Sequence, residues 1–329
     1  MIAVSWGLVG NAWAVDLLRR QLERGTTHHA YLFTGPEGVG RARLALAFAQ
    51  TILCEAPPRP GEWCGACRAC RQVPERRYPD LHWVERPQDK QGITIEQVRE
   101  LQRQLALTPM AGGRRVAILV GMDEASEGAA NALLKTLEEP PPRVYLLVCA
   151  GDVEEVPPTI VSRCEVLALR PVPVQVIAEA LEAHGADKAK AEELAGLADG
   201  RPELALRMLA EPALHDRRRA YAGELQEVLR LGLAGRFAVA EQWREDDQLE
   251  QRLGVWVNLL GEAMRRDFRE SSGGRTDGSW LPDPKTARSA LDATLRSLEA
   301  LRRNANARLA LEVLMLDLPR SGAGSSRPA

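Results

Sequence analysis

The sequence predicts an α/β fold in which a parallel sheet wrapped by helices occupies residues 1–170 and everything beyond is helical. Three observations lead there. Between about residues 30 and 170, short apolar runs alternate with helical patterns. The first run passes directly into a Gly-rich turn, GPEGVG at 35–40, and β-type patterning ends after PVPV at 171–174.

Taken in order, AYLFT at 30–34 reads as a buried strand, the glycine turn follows, and ARLALAFAQTIL at 42–53 carries apolar residues at helical spacing. LHWVE at 81–85 is a second strand. TIEQVRELQRQLAL at 94–107 opens with a capping box, Thr94 to Gln97, in which each side chain satisfies the other's orphan amide. RRVAILVG at 114–121 and VYLLVCA at 144–150 are further strands, separated by a helix around EGAANALLKTLEE and stopped by Pro140, Pro141 and Pro142. TIVSRC at 159–164 places Arg163 at the end of a short helix leading into a strand. Cys149 and Cys164 fall in strand patterns and read as small core residues. Residues 171–210 are expected to form about three helices, punctuated by Gly185 and the Gly200–Pro202 turn, and 211–319 a second bundle. ESSGGRTDGSWLPDP at 270–284 reads as a mobile loop in that bundle, and 320–329 as a disordered tail.

Composition narrows the function. The 329 residues carry 43 Lys and Arg against 45 Asp and Glu, a net charge of −2, so any nucleic-acid contact must be local. No apolar run approaches the ~18 residues of a membrane span, and the N-terminus lacks a signal peptide, so the expected compartment is the cytoplasm with no membrane partner. Cys54, Cys64, Cys67 and Cys70, four of the six cysteines, share one short window. Their C-x9-C-x2-C-x2-C spacing can close a tetrahedral site, where a structural Zn2+ would supply folding energy and no chemistry. Five arginines between Arg59 and Arg77 make this window basic, which reads as a DNA or partner contact or as a solvated face.

The glycine turn stands where a phosphate-binding loop should, between strand and helix. Gly35, Gly38 and Gly40 keep the cradle, but Arg41 and Ala42 replace the lysine and the Ser/Thr that reach phosphate and Mg2+. A planar guanidinium replaces a compact ammonium poorly, and a methyl group cannot ligate a metal. ATP binding by this chain is therefore expected to be weak or absent. The apolar strand VAILV ends at Val120, so Asp123 and Glu124 fall beyond the magnesium positions and read as caps of the next helix.

HAYLFTGPEGVG, the cysteine insertion after the first helix, NALLKTLEEPP at 131–141, SRC at 162–164 and the ending RRNANARLALEVLMLDL together resemble the AAA+ clamp-loader subunits of bacterial DNA polymerase III. The resemblance implies a RecA-like AAA+ domain over 1–170 with a zinc insertion, a helical lid over 171–210 and an oligomerising collar over 211–319. Family registration sets the magnesium-binding acids at Val120 and Gly121, the first sensor at Cys149 to Gly151 with no Thr or Asn, and the sensor-2 arginine at Glu203. With Arg41 and Ala42, five nucleotide-handling features are missing or altered. The resemblance thus implies a non-hydrolysing stator of a five-subunit arc containing gamma/tau and delta subunits, which loads a sliding clamp onto primer–template DNA in the replisome. Arg163 would act there as an arginine finger in trans on the gamma/tau ATP site. It leaves the helix bearing Asn131, Lys135, Thr136, Glu138 and Glu139 between subunit packing and DNA tracking. Two alternatives stay open: an active gamma/tau-type ATPase using Arg41 and Asp123, and a zinc-dependent nucleic-acid-binding module.

Overall fold

The computed structural model describes residues 5–87, 90, 92–110, 113–270, 282–303 and 305–319, so the tail at 320–329 and most of the loop expected at 270–284 lie outside the described residues. The chain divides into two compact units, Met1–Leu209 and Ala210–Ala329. Among the described residues no helix is long and apolar enough to cross a membrane.

In the first unit, strands β1 (Ala30–Thr34), β2 (Leu81–Glu85), β3 (Arg115–Val120), β4 (Val144–Ala150) and β5 (Glu165–Ala168) form one parallel sheet in the order β2-β3-β4-β1-β5. Helices α1 (Ala12–Arg24), α2 (Arg41–Leu53), α3 (Arg68–Gln72), α4 (Ile95–Leu105), α5 (Glu127–Glu138) and α6 (Pro158–Val161) accompany it. Alternate residues of each strand serve opposite faces. Tyr31, Phe33, Ile118 and Leu147 pack with α1 and α2, whereas Leu32, Ala117, Leu119 and Leu146 pack with α4 and α5. Burial on both faces is why these strands read as continuous apolar runs. Because β1 lies inside the sheet between β4 and β5, the turn leaving it opens at the carboxyl ends of the strands, where ligands of open α/β sheets bind.

The capping box forms as expected, with Thr94 Oγ1 accepting from the Gln97 N–H and Gln97 Oε1 from the Thr94 N–H. Helix α1 has no counterpart among the expected elements. Its sequence nonetheless buries Ala14, Val15 and Leu18 at helical spacing and ends in the left-handed Gly25, a usual helix stop.

Three helices, α7 (Val174–Ala183), α8 (Lys188–Ala198) and α9 (Pro202–Ala210), follow β5. The second unit contains α10 (Pro212–Arg230), α11 (Leu233–Trp243), α12 (Leu249–Glu270), α13 (Pro284–Arg302) and α14 (Ala307–Asp317) around a core that includes Leu225, Leu253, Trp256, Leu260, Leu311 and Met315. The buried Arg236 of α11 donates to the carbonyls of Val228 and Leu229 at the end of α10 and of Met315, Leu318 and Pro319 at the end of α14. One cation thereby satisfies orphan carbonyls at two helix C-termini. On the outside of α14, Leu309, Val313 and Leu316 are all more than half exposed and lie at i, i+4 and i+7, an uncovered apolar stripe.

Candidate functional site

The glycine turn spans β1 to α2 and is held by protein on every side that the described contacts define. Gly35 has φ 135°, and a Cβ there would fall 2.6 Å from the Leu169 carbonyl oxygen; Gly40 has φ 110°, and a Cβ would fall 2.7 Å from Leu8 Cδ1. Only glycine fits either place. The Gly38 carbonyl accepts from the Glu203 N–H at the start of α9 (3.0 Å). Arg43 donates through Nε to the Gly7 carbonyl (2.7 Å) and lies 3.5 Å from Glu203 Oε1. Glu203, which the family resemblance registers with the sensor-2 arginine, therefore sets a carboxylate beside the loop. Its burial pushes its carboxyl above the ordinary range, against the opposing pull of Arg43 and Arg207.

Val120 ends β3 and Gly121 is left-handed, so neither position that the resemblance registers with magnesium-binding acids carries a carboxylate. The expectation for the next two acids needs correction. Asp123 does not cap α5, because Ser126 does so, its Oγ accepting from the Ala129 N–H (3.2 Å). Asp123 Oδ2 instead accepts from the Gly151 N–H at the end of β4 (2.7 Å), and Glu124 pairs with Arg86 (3.5 Å). Arg41 Nη1, Asp123 Oδ2 and Glu155 Oε2 all come within 4 Å of where a Cβ on Gly151 would lie, so Arg41 sits among acids at this end of the sheet. Cys149 lies in β4 as expected. Cys164 stands in the turn just before β5, and burial pushes both thiols up to about 12.

The four clustered cysteines do meet. Cys54 follows α2, Cys67 caps α3 and Cys70 lies within α3, and all four sulfurs are within 4.8 Å of one another. Sγ separations of 3.7 Å (Cys54–Cys70), 3.9 Å (Cys64–Cys70) and 4.0 Å (Cys54–Cys67) are far from a disulfide bond. They match the edge of about 3.8 Å that follows from tetrahedral Zn–S bonds of about 2.3 Å. The donor set fits a metal ion. Backbone N–H groups of Cys64, Cys67 and Cys70 point at the sulfurs of Cys54, Cys64 and Cys67 respectively (3.3, 3.3 and 3.4 Å). Such donors favour thiolate, and the Cys67 N–H is the chief cause that brings the Cys64 thiol down to about 6. Burial drives Cys54 and Cys70 the other way. Three of the five arginines of this segment have acidic neighbours. Arg59 pairs with Glu62, Arg77 with Glu75, and Arg76 with Glu85 while stacking 3.6 Å over Trp83.

Arg163 is where the sequence places it, in the turn between α6 and β5. Its Nη1 donates to the Thr159 carbonyl (2.8 Å) and Ser162 Oγ (3.1 Å), and its Nη2 to Glu138 Oε1 on α5 (2.6 Å). It does not join the glycine turn. Glu165 registers with Tyr31 and Ala168 with Thr34, so Arg163 stands where the strands begin and the turn where they end, roughly 20 Å apart at the usual rise per residue.

Residues 10–173 match the family model described as DNA polymerase III, delta subunit. The DNA polymerase III subunit delta' of Pseudomonas aeruginosa is 34% identical over 236 residues, 70% of each chain. The chain belongs to the delta' subunit family of the DNA polymerase III clamp loader. The Bacillus subtilis subunit delta' is 29% identical over 266 residues, 79% of this chain and 78% of that one. The tau subunit of Escherichia coli is 34% identical over 179 residues, 53% of this chain and 27% of that one. Among solved structures, a gamma subunit-related protein from Thermotoga maritima covers 92% of this chain and 98% of its own, with TM-score 0.42 and 18% identity. Two features of the site leave no signal in the sequence. The N-terminal segment at Gly7 and Leu8 packs on the glycine turn without any periodic signal, and Glu138 reaches Arg163 across 25 positions of chain.

Proposed function

We propose that this chain is the non-hydrolysing stator of a clamp-loader assembly and lends Arg163 in trans to the ATP site of a neighbouring gamma/tau subunit. The observation that carries this reading is the place of Arg163: at the end of the strands opposite its own phosphate loop, partly exposed, with donors left over. It cannot serve its own chain's loop from there, and a neighbour docked at that end of the sheet would find it first. The turn itself supports the same reading, because Leu8 packs against Gly40, Glu203 sets a carboxylate beside the loop, and Val120 and Gly121, the positions that the resemblance assigns to magnesium, offer no carboxylate. In the second unit, the stripe of Leu309, Val313 and Leu316 is the surface on which collar helices of gamma/tau and delta would meet this chain. ATP bound at the neighbour would order the arc so that it opens the sliding clamp over primer–template DNA, and hydrolysis would release it. In the cysteine cluster, zinc supplies structure.

Two measurements test the assignment. Calorimetric titration of the isolated chain with Mg-ATP is expected to give no binding tighter than high micromolar, and submicromolar binding with turnover would overturn it. Adding the chain to gamma/tau and delta is expected to raise their DNA-stimulated ATPase; an assembly equally active without it has no use for a stator.

A further inference from the structure

We propose that Glu138 is the positioning residue for Arg163: its carboxylate, carried at the end of α5, fixes the guanidinium in the orientation a neighbour's phosphate would need. The inference rests on the stator reading. A guanidinium has five N–H donors in a rigid plane. Three are engaged, two on Nη1 with Thr159 O and Ser162 Oγ, and one on Nη2 with Glu138 Oε1. The Nε–H and the second Nη2 N–H are the two left over, and a phosphate oxygen is the acceptor they would suit.

The anchors come from two separate elements. Thr159 and Ser162 belong to the α6 turn, and Ser162 Oγ is itself oriented by donating to the Thr159 carbonyl (3.1 Å). Glu138 belongs to α5, which is firmly seated. Leu133, Thr136 and Leu137 are buried, Gln102 donates to both the Ala132 carbonyl and Thr136 Oγ1, and His29 Nε2 lies 2.9 Å from the Leu137 carbonyl. With the α6 contacts alone, the guanidinium keeps one hinge about its Nη1 side. The Glu138 contact removes it, so the side chain enters a neighbour's site already ordered. A helix read from sequence only as packing or DNA-tracking thus acquires a role: any shift of α5 moves the finger.

The experiment is a double-mutant cycle in the assembly reconstituted with gamma/tau and delta, reading kcat and KM of DNA-stimulated ATP hydrolysis. Glu138→Ala is expected to remove most of the hydrolysis that depends on Arg163, lowering that part of kcat about tenfold while leaving KM for ATP unchanged. Glu138→Gln, which keeps an acceptor oxygen at the same reach, should restore at least half of it. In the Arg163→Ala background, Glu138→Ala should do nothing further. Three results overturn the proposal: full activity in Glu138→Ala, higher activity in Glu138→Ala (the carboxylate would then be a parking place), or an effect that adds to that of Arg163→Ala. If Arg163→Ala itself changes nothing, the stator reading fails first and is seen to fail separately.

Discussion

Arg163→Ala is expected to abolish nearly all hydrolysis at the one gamma/tau site that faces this chain, while leaving the fold and the assembly intact. An arginine supplied in trans contributes about 10³–10⁵ in rate in related NTPases, because it neutralises charge that develops on the transferred phosphoryl group. The side chain is one-third exposed and its partners are a surface carboxylate, a hydroxyl and a carbonyl, so truncation opens no cavity and strands no buried charge. Arg163→Lys should recover little. An ammonium retains the charge but cannot hold Glu138 and Ser162 while presenting two further donors in one plane. The clearest readout is single-turnover hydrolysis, which resolves the affected site from the others. The bulk rate will fall by at least that site's share, and by much more if the sites fire as a unit. Unchanged hydrolysis in an intact complex would remove the proposed role.

How much of this was legible depends on the range over which each feature acts. The buried strands announce themselves because a parallel sheet covered on both faces demands apolar residues at every position, as in AYLFT and VYLLVCA. The capping box is equally local: Thr94 and Gln97 are three residues apart, and either would be recognised without a fold. The cysteine cluster lies in between, since only the spacing is visible in sequence while the meeting of the four sulfurs depends on α2 and α3. Asp123 marks the limit. Its position beyond the strand is visible in the sequence, yet its partner, the Gly151 N–H, lies 28 positions away and belongs to a neighbouring strand end. Glu203 was readable as a reversed charge, but its approach to Arg43 and to the glycine turn exists only after α9 folds back on the sheet. The residues that position the site are thus less visible in the sequence than the residues that form it.

Stripping the metal from the cysteine cluster is expected to destabilise the whole first unit. A bound ion at 100 times its Kd adds about 2.7 kcal/mol of stability, and a four-thiolate zinc site is tighter than that at ordinary metal levels. For a unit of this size the loss corresponds to a fall in Tm of about 5–10 °C. The effect should spread because the module is not an appendage. Ala69 and Val73 belong to the sheet's core, Gln50 of α2 donates to the Cys70 carbonyl (3.0 Å), and Trp6 stacks on Phe48 while donating to the Gly61 carbonyl (3.1 Å). Without the ion, four sulfurs crowded within 4.8 Å lose the charge that holds them together, and the segment between α2 and α3 loosens from Trp6 and Gln50. The 329-residue chain should therefore purify with one zinc, lose it to a strong chelator, and melt earlier by circular dichroism. Cys70→Ser, at the buried corner of the cluster, should reproduce the loss. Chelation with no change in Tm would reduce the cluster to four free thiols. Primer–template DNA titrated against the same holo and stripped samples separates structure from recognition: with Arg59 and Arg77 beside acids of the module and Arg76 beside Glu85 of β2, zinc removal is expected to leave any DNA affinity and its salt dependence unchanged below the melting range.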